Sequence, residues 1–261
     1  MSLKELKFVK INPSGNITLL YHQNNIIKDE FKAISKVSMT KNSLDAEQVG
    51  FINTTHLEMM GGEFCGNACR SFGAFLAFND DSFKDKKIYT ITCSGESTPL
   101  NLEITGTAFK NRYFAKIKMP NYIATETIVL NNYQIYIFYF SGITHFIVES
   151  KEIDNFLLEL IHNYCKNYGI LNFGVMFFDS KKLFMIPYVY IEGIGGTWEN
   201  SCASGTSALG FYLNTYKNID SIKINQPGGF LIVSIENSNT FIDGPVDIVA
   251  EGTSYINIHN N

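Results

Sequence analysis

The sequence predicts an α+β fold in which mostly antiparallel sheets wrap around a small number of helices. Short β-like runs outnumber helical segments by a wide margin along the chain. Many of these runs lie close enough in sequence to pair as antiparallel neighbours. A hydrophobic fraction of 45% and a charged fraction of 18% over 261 residues are typical of a well-buried globular protein. A chain of this length holds one large domain or two ordinary ones.

Helices are predicted at four places, 29–39, 66–79, 151–168 and 203–217. The strand-like runs of the first half are LKFVKI, ITLLYH, EQVGFI, IYTITC, NLEIT and YFAKIKM. Those of the second half are YQIYIFYF, HFIVE, FGVMFF, LFMIPYVYI, SIKI, FLIVSI and VDIVA. The segment QPGGF at 226–230 is predicted to be a turn, because proline presets φ and the glycines accept positive φ.

The charge and the apolar runs of the sequence exclude two classes of partner. A formal net charge of -4 gives no electrostatic footprint for nucleic acid or an anionic membrane. No apolar run approaches the roughly 20 residues that a membrane helix needs. We therefore expect no nucleic-acid or membrane partner and a cytoplasmic location, with a homodimer as one option for the assembly.

The five cysteines do not form an obvious disulfide or metal framework. Their number is odd, and the chain is too large to need covalent stapling, so a reducing compartment fits better. Cys65 and Cys69 are four residues apart, but no second close pair or nearby histidine completes a tetrahedral site. We expect no metal, and we interpret Cys69, Cys93 and Cys165 as inert buried thiols.

The other two cysteines occur in similar contexts, GGEFCGNACRSFGAFL and ENSCASGTSALGFYL. In both segments the cysteine precedes small and polar residues and then an apolar helical run. When Cys65 and Cys202 are superimposed, three later positions also agree in type. These are Gly73 with Gly210, Phe75 with Tyr212, and Leu76 with Leu213. The pattern indicates a weak internal repeat, although small residues suit any tightly packed helix.

A cysteine at the start of a helix has a defined chemistry. The unpaired N–H groups and the partial positive charge there bind a carboxylate and favour the thiolate over the thiol. Two such sites suit inversion at an amino-acid α-carbon, where one base removes the proton and an acid on the opposite face returns one. Both helix starts could hold the α-carboxylate and stabilise the charge that develops on it. This scheme requires no cofactor.

At these motifs the sequence resembles the diaminopimelate epimerase superfamily of cofactor-independent racemases and epimerases. FCGNACR resembles the first catalytic motif, and SCASGTSA resembles the second with Ala203 in place of the usual glycine. The resemblance covers the whole chain. Through the segments NPSGNITLL, AEQVGFI, SGITHFIVE, LNFGVMFF and DGPVDIVAEG it places Asn16, Gln48 beside Glu47, His145 and Asn172 at family positions.

The resemblance implies two pseudo-symmetric halves, each a mostly antiparallel or mixed sheet curled around a central helix, with the active site in the cleft between them. The halves would be residues 1–120 and 121–261, and a final strand near 248–258 could pack back on the first half. Each catalytic cysteine, Cys65 and Cys202, would start a central helix. The substrate-binding residues implied are Asn16, Glu47, Gln48, Gly66, Asn67, His145, Asn172, Glu192, Ala203 and Ser204.

The chain departs from diaminopimelate epimerase where the far end of the substrate would bind. Glu192 replaces an arginine and Ile143 an asparagine, and two extra residues add Trp198 and Glu199 before the second cysteine. A buried Glu192 would repel a distal carboxylate, so we expect a neutral or cationic side chain in the substrate. Glu47, Glu192, Glu58 or Glu199 could accept hydrogen bonds from it, and Trp198 could stack on it.

Within the superfamily, these features are most similar to the histidine racemases, including those that make D-histidine for opine-type metallophores. Interconversion of L- and D-histidine is the leading hypothesis, with lysine, arginine or ornithine as other cationic substrates. Diaminopimelate epimerisation is an alternative. An isomerase resembling PhzF is another, although it would use a carboxylate instead of two thiols. An alternative of a different class is a non-catalytic protein that binds an amino acid or senses redox state.

Overall fold

The computed structural model of the protein describes residues 2–24 and 26–258. Its helices are α1 (Phe31–Ser38), α2 (Gly66–Phe78), α3 (Asn155–Tyr168) and α4 (Ala203–Lys217), with a 3-10 turn at Lys28–Glu30. Its strands are β1 (Ser2–Asn12), β2 (Thr18–His22), β3 (Gln48–Asn53), β4 (His56–Met59), β5 (Lys86–Cys93), β6 (Leu100–Gly106), β7 (Arg112–Lys118), β8 (Ala124–Leu130), β9 (Tyr133–Tyr139), β10 (Thr144–Glu149), β11 (Phe173–Asp179), β12 (Phe184–Ile191), β13 (Gly195–Trp198), β14 (Ser221–Gln226), β15 (Gly229–Glu236), β16 (Asn239–Asp243) and β17 (Pro245–Ile258). The prediction of an α+β fold is confirmed.

All four predicted helices are present, and a side chain caps the N-terminus of α2, α3 and α4. Helix α3 begins four residues later than predicted, because the Asp154 side chain accepts a hydrogen bond from the Leu157 amide and caps the helix there. It ends at Gly169, which adopts the left-handed conformation (φ 69°) that glycine accepts without strain. The predicted turn in QPGGF lies between the end of β14 and the start of β15.

The chain divides into two compact units, Met1–Ile117 with Asp243–Asn261, and Lys118–Ile242. The final strand β17 therefore belongs to the first unit, together with the N-terminal residues. It pairs antiparallel with β1 along most of its length and with β7 at residues 245–247.

The strands of the first unit form a closed ring around α2. The ring runs β1, β2, β3, β4, β5, β6, β7 and β17, and β17 returns to β1. The pairs β2–β3 and β4–β5 are parallel, and the other pairs are antiparallel. Helix α2 packs against β2, β3, β5, β6 and β17, and almost all of its side chains are buried. Helix α1 packs against β3 and β17.

The second unit repeats this order of connections. Its strands pair in the order β8, β9, β10, β11 and β12, and β12 continues to both β13 and β14, with β14 followed by β15. Helix α4 packs against β10, β11, β14 and β15. The parallel pairs β10–β11 and β12–β14 are joined through α3 and α4, as β2–β3 and β4–β5 are joined through α1 and α2. The shared order of strands and crossovers supports the internal repeat.

The paired glycines of the repeat mark where each central helix comes closest to a strand. A Cβ atom built on Gly210 would lie 2.3 Å from Cγ2 of Val233 on β15. A Cβ atom on Gly73 would lie 2.9 Å from Cδ1 of Ile104 on β6. Glycine is therefore required in α4 by packing, at a position where alanine would otherwise be the better helix former.

We predict that Gly210→Ala lowers the free energy of unfolding by up to about 2 kcal/mol. Overpacking against β-branched Val233 costs roughly 1–3 kcal/mol, and the gain in helix propensity offsets about 1 kcal/mol of it. Denaturant unfolding of purified protein measures the change. Gly73→Ala should be milder, because Ile104 meets the new atom with the free end of its side chain. If Val233→Ala fails to restore the stability of Gly210→Ala, the packing explanation is wrong.

Candidate active site

Cys65 and Cys202 occupy the same local position in the two units. Each is the N-cap residue of its helix, with φ -132° and ψ 110° for Cys65 and φ -126° and ψ 110° for Cys202. The Cys65 sulfur accepts a hydrogen bond from the Ala68 amide at 3.5 Å, and the Cys202 sulfur accepts one from the Gly205 amide at 3.4 Å. Each sulfur therefore lies over the amide groups of a helix start, where a thiolate is stabilised.

Around Cys65, a continuous hydrogen-bond network joins several of the residues predicted from the sequence. The Cys65 thiol donates to Oε1 of Gln48 at 2.7 Å, and Nε2 of Gln48 donates to the Thr18 hydroxyl at 2.6 Å. The Thr18 hydroxyl donates in turn to the carbonyl of Asn16 at 3.1 Å. Nδ2 of Asn16 donates to the Glu47 carboxylate at 2.7 Å. The network orients the Gln48 amide so that its oxygen faces the thiol.

The network leaves one polar atom without a protein partner. Oδ1 of Asn16 is buried and has no hydrogen-bond partner among the described residues. A buried acceptor in this state costs free energy unless a donor reaches it. The side chains of Glu47 and Gln48 are half-buried, and both lie where the parallel strands β2 and β3 begin. This corner can accept a hydrogen-bond donor such as an ammonium or a ring N–H.

Around Cys202, the backbone is fixed by two polar side chains that the sequence analysis did not select. The Cys202 amide donates to Oε1 of Gln226 at 2.9 Å. Nε2 of Gln226 donates to the Thr206 hydroxyl at 2.9 Å, and that hydroxyl donates to the Cys202 carbonyl at 2.6 Å. The Cys202 sulfur lies 3.5 Å from the Ser204 hydroxyl, and Ala203 beside it is buried.

The two cysteines differ in their surroundings. Cys65 is half-buried, and its thiol faces a neutral amide oxygen. Cys202 is buried, and burial raises its pKa well above the usual range because a thiolate is poorly solvated there. The Glu199 carboxylate also raises the pKa of Cys202, while the Ser204 hydroxyl and the Gly205 amide act in the opposite direction. Cys202 therefore holds its proton at neutral pH.

His145 is buried in β10, with both ring nitrogens lacking a partner among the described residues. Burial lowers its pKa to about 3, so the imidazole is neutral at physiological pH. A Cβ atom on Gly174 would lie 2.4 Å from its Nδ1, so the strand pair β10–β11 needs glycine opposite the ring. A buried neutral ring is suited to shaping a pocket and not to supplying protons as an imidazolium.

Asn172 and Glu192 take part in backbone organisation instead of contacting Cys202. Nδ2 of Asn172 donates to the Gly142 carbonyl at 3.2 Å, and its Oδ1 accepts from the Glu192 amide at 3.1 Å. The Glu192 side chain is exposed, so the expectation that it is buried is wrong. The turn after β12 contains Gly193 at φ 78° directly after the glutamate. Trp198 is 41% exposed, and its ring packs on that of Tyr188 with 5.0 Å between the ring centroids.

The remaining candidates have structural partners. Glu58 forms an ion pair with Lys28 at 3.0 Å, and its carboxylate lies 3.2 Å from Nε2 of His56. All five cysteines are free thiols, and Cys69, Cys93 and Cys165 are buried. The pKa of Cys69 is raised by the neighbouring Cys93 thiol and by burial, which keeps Cys69 protonated.

Across residues 2–24 and 26–258, no group of three or more His, Cys, Asp and Glu side chains could hold a metal ion. No described helix is long and apolar enough to cross a membrane.

The side chain of Arg70 belongs to the surroundings of Cys65, although the sequence analysis assigned it no role. It is fully buried in α2, and its Nη1 donates to Oδ1 of Asn67 at 3.0 Å. Asn67 and Gly66 are also buried, at the first turn of the helix. An arginine in the sequence CGNACR looks like an ordinary helix residue, so only its burial distinguishes it.

Comparison with known proteins shows the family and the fold of the chain. Residues 5–255 match the family model described as the histidine racemase CntK N-terminal domain. The chain is 49% identical over 257 residues to a histidine racemase of Fusobacterium nucleatum subsp. nucleatum (strain ATCC 23726 / VPI 4351), covering 96% of this chain and 97% of that protein. It is 30% identical to a histidine racemase of Staphylococcus aureus (strain Mu50 / ATCC 700699), covering 98% and 100%. Its fold matches the solved structure of a predicted epimerase, PA4716 from Pseudomonas aeruginosa, with a TM-score of 0.73, 10% identity and coverage of 95% and 98%.

Proposed function

The chain belongs to the histidine racemase family, and we propose that it interconverts L- and D-histidine with Cys65 and Cys202 as the two acid–base groups. It is an isomerase of the racemase class. The observation that carries the two-thiol proposal is the matched pair of N-cap cysteines, one in each unit of a repeated fold, with nearly identical backbone angles. One thiolate removes the α-proton, and the other thiol returns a proton to the opposite face of the same carbon.

The substrate carboxylate is proposed to bind at a helix start. The amides of α2 and α4 that follow each cysteine carry partial positive charge, and Gly66, Ala203 and Ser204 keep the side chains small there. Negative charge grows toward the carboxylate as the α-proton leaves, so the same amides stabilise the transition state. An α-proton is otherwise only weakly acidic, and this stabilisation brings its removal within reach of a thiolate.

The imidazole of histidine is proposed to bind near Glu47. The Glu47 carboxylate accepts a hydrogen bond from Nδ2 of Asn16. Oδ1 of the same asparagine has no hydrogen-bond partner among the described residues. An imidazole presents an N–H donor, or two when it is protonated, and these match the two acceptors. Glu192 is exposed, so selectivity against a distal carboxylate is assigned to Glu47 instead.

The two thiols are proposed to begin the reaction in different protonation states. Cys202 is buried beside Glu199 and keeps its proton, so it is the resting acid. Cys65 is half-buried at the start of α2 and is assigned as the base, which gives up the hydrogen bond that its thiol donates to Gln48 when it ionises. After one turnover the roles are exchanged, and exchange with solvent restores the resting state.

Racemisation in heavy water tests the function and the mechanism together. L-histidine is incubated with the enzyme in D₂O, the enantiomers are separated by chiral chromatography, and deuterium at the α-carbon is measured by mass spectrometry. We expect newly formed D-histidine to carry one α-deuterium, while the remaining L-histidine stays unlabelled early in the reaction. This difference arises because one thiol takes the proton and a different one returns it.

Two other outcomes would contradict the proposal. Histidine that binds but gains no deuterium would indicate the non-catalytic alternative, an amino-acid-binding or redox-sensing protein. Deuterium that enters L-histidine without formation of D-histidine would indicate a single base that removes and returns the proton on one face.

A further inference from the structure

Arg70 has an unusual environment for an arginine. It lies five residues after Cys65 in α2 and is completely buried. Its Nε donates to the Ala115 carbonyl on β7 at 2.9 Å, and its Nη2 donates to the Pro245 carbonyl at the start of β17 at 3.2 Å. Nη1 donates to Oδ1 of Asn67 at 3.0 Å. All three of these acceptors are neutral.

The guanidinium keeps its charge in this position. Burial lowers the pKa of Arg70 to about 10, which is still well above neutral pH. Favourable interactions with Asp243 and with Cys65 act in the opposite direction and help to retain the proton. A buried cation that is held by neutral acceptors is costly, because the solvation lost on burial is only partly replaced. A methionine or leucine would fill the space without that cost.

We propose that Arg70 is a positioning residue for the first thiol, which fixes the Asn67 amide and places a permanent positive charge within electrostatic reach of the Cys65 thiolate. This role rests on the proposed two-thiol function, and it gives a reason why the two cysteines differ in acidity. Cys65 faces the field of a buried cation, whereas Cys202 faces the Glu199 carboxylate. The first interaction favours the thiolate and the second favours the thiol.

The contact with Asn67 gives the guanidinium a second task. Because Nη1 donates to Oδ1, the oxygen of the Asn67 amide faces Arg70 and its NH₂ group points away from the guanidinium. Asn67 is buried in the first turn of α2, next to the amides that follow Cys65. The amide oxygen is thereby committed to Arg70, so any further contact of the Asn67 side chain is made by its NH₂ group as a donor.

The charged groups around the site allow a test in two directions. Arg70 and Cys69 act on Cys65 from α2 itself. Asp243 at the end of β16 acts on Arg70, and its own carboxyl is influenced by Lys116 on β7 and Glu103 on β6. Removing the positive charge should make Cys65 less acidic, and removing the negative charge of Asp243 should make it more acidic. If Arg70 had only a structural role, the two substitutions would not shift the acidity of Cys65 in opposite directions.

The experiment measures the pH dependence of alkylation of Cys65 by iodoacetamide, read from the Cys65 peptide by mass spectrometry. In Arg70→Met we expect the midpoint to rise by about one pH unit, which is about tenfold less thiolate at neutral pH. Arg70→Lys keeps the charge and should remain close to the wild type. Asp243→Asn should lower the midpoint. The matched control is Arg112→Met, which breaks an exposed ion pair with Asp247 in the same unit. It should leave the midpoint of Cys65 alkylation unchanged.

The inference is overturned if folded Arg70→Met has the wild-type midpoint, or if Asp243→Asn leaves it unchanged or raises it. If Arg70→Met does not fold, Asp243→Asn and Arg70→Lys decide the outcome, because both keep a cation at position 70. Racemisation is not the readout, so the result stands apart from the proposed function. Failure of the two-thiol scheme would instead appear as activity that survives the loss of a thiol.

Discussion

Replacing Cys65 or Cys202 with serine is expected to lower the rate of histidine racemisation by about 10²–10⁴-fold, the usual contribution of a positioned acid or base. A serine hydroxyl has nearly the shape of the thiol but is far less acidic than a cysteine with a pKa of about 8.5. Each variant therefore keeps its N-cap hydrogen bond and loses only the proton transfer. Circular dichroism of L-histidine solutions follows the loss of optical activity in each variant.

The matched control is Cys165→Ala, which removes a buried thiol of α3 from the core of the second unit. The free energy of unfolding of this variant should fall. Its rate of histidine racemisation, measured at a temperature where it is folded, should stay close to that of the wild type. If either Cys65→Ser or Cys202→Ser retained most of the activity, the scheme with two thiols would be wrong. Equal losses in both variants would agree with one reaction that needs both groups.

Neutralising Glu47 is expected to lower kcat/KM for L-histidine by about 10²-fold in Glu47→Gln. The half-buried Glu47 carboxylate loses its remaining water when a ligand donor pairs with it. Truncating such a desolvated charge costs roughly 2–5 kcal/mol, and the retained amide oxygen recovers part of this. The glutamine can still accept the hydrogen bond from Asn16, so the fold of this corner should be preserved. Steady-state kinetics with L-histidine and with a neutral amino acid of similar size measure the change in selectivity.

Glu58→Gln serves as the control, because Glu58 is a carboxylate of the same unit whose partners are Lys28 and His56. Its kinetics should match the wild type within about twofold, as expected for an exposed ion pair of small energetic effect. Unchanged selectivity in Glu47→Gln would remove the assignment of the imidazole to this corner. A loss of the same size in Glu58→Gln would show that any change in net charge has this effect.

The sequence was sufficient to predict the helices, because their apolar periodicity and capping residues are local signals. It did not predict β4, β8, β13 or β16, and for the first three of these strands the omission has a local reason. Strand β4 has four residues, and β13 begins with two glycines that are typical of turns. Strand β8 is exposed along most of its length, so its threonines and glutamate show no apolar face. These strands exist because neighbours pair with them, and pairing is not visible in the segment itself.

The candidate site was predicted in part. The motifs around both cysteines specify N-caps, and Gln48 and Glu47 take part in the network with Cys65 and Asn16. Glu192 was expected to be buried, but the direction of a side chain at a turn is decided by the fold and not by the motif. Gln226 was interpreted only as the start of a turn, although its amide holds the Cys202 backbone. Nothing in the sequence marks it, because its partner is 24 residues away.

The pairing of β17 with both β1 and β7 has a consequence for the order in which the molecule is made. A ribosome releases residues 118–242, the whole second unit, before it releases the strand that closes the first. The first unit therefore keeps two open sheet edges until residues 245–258 are synthesised, and such edges attract other chains. The unit that the ribosome begins first is closed only after the second unit has been made, so a nascent chain can pair with its neighbours during that whole interval.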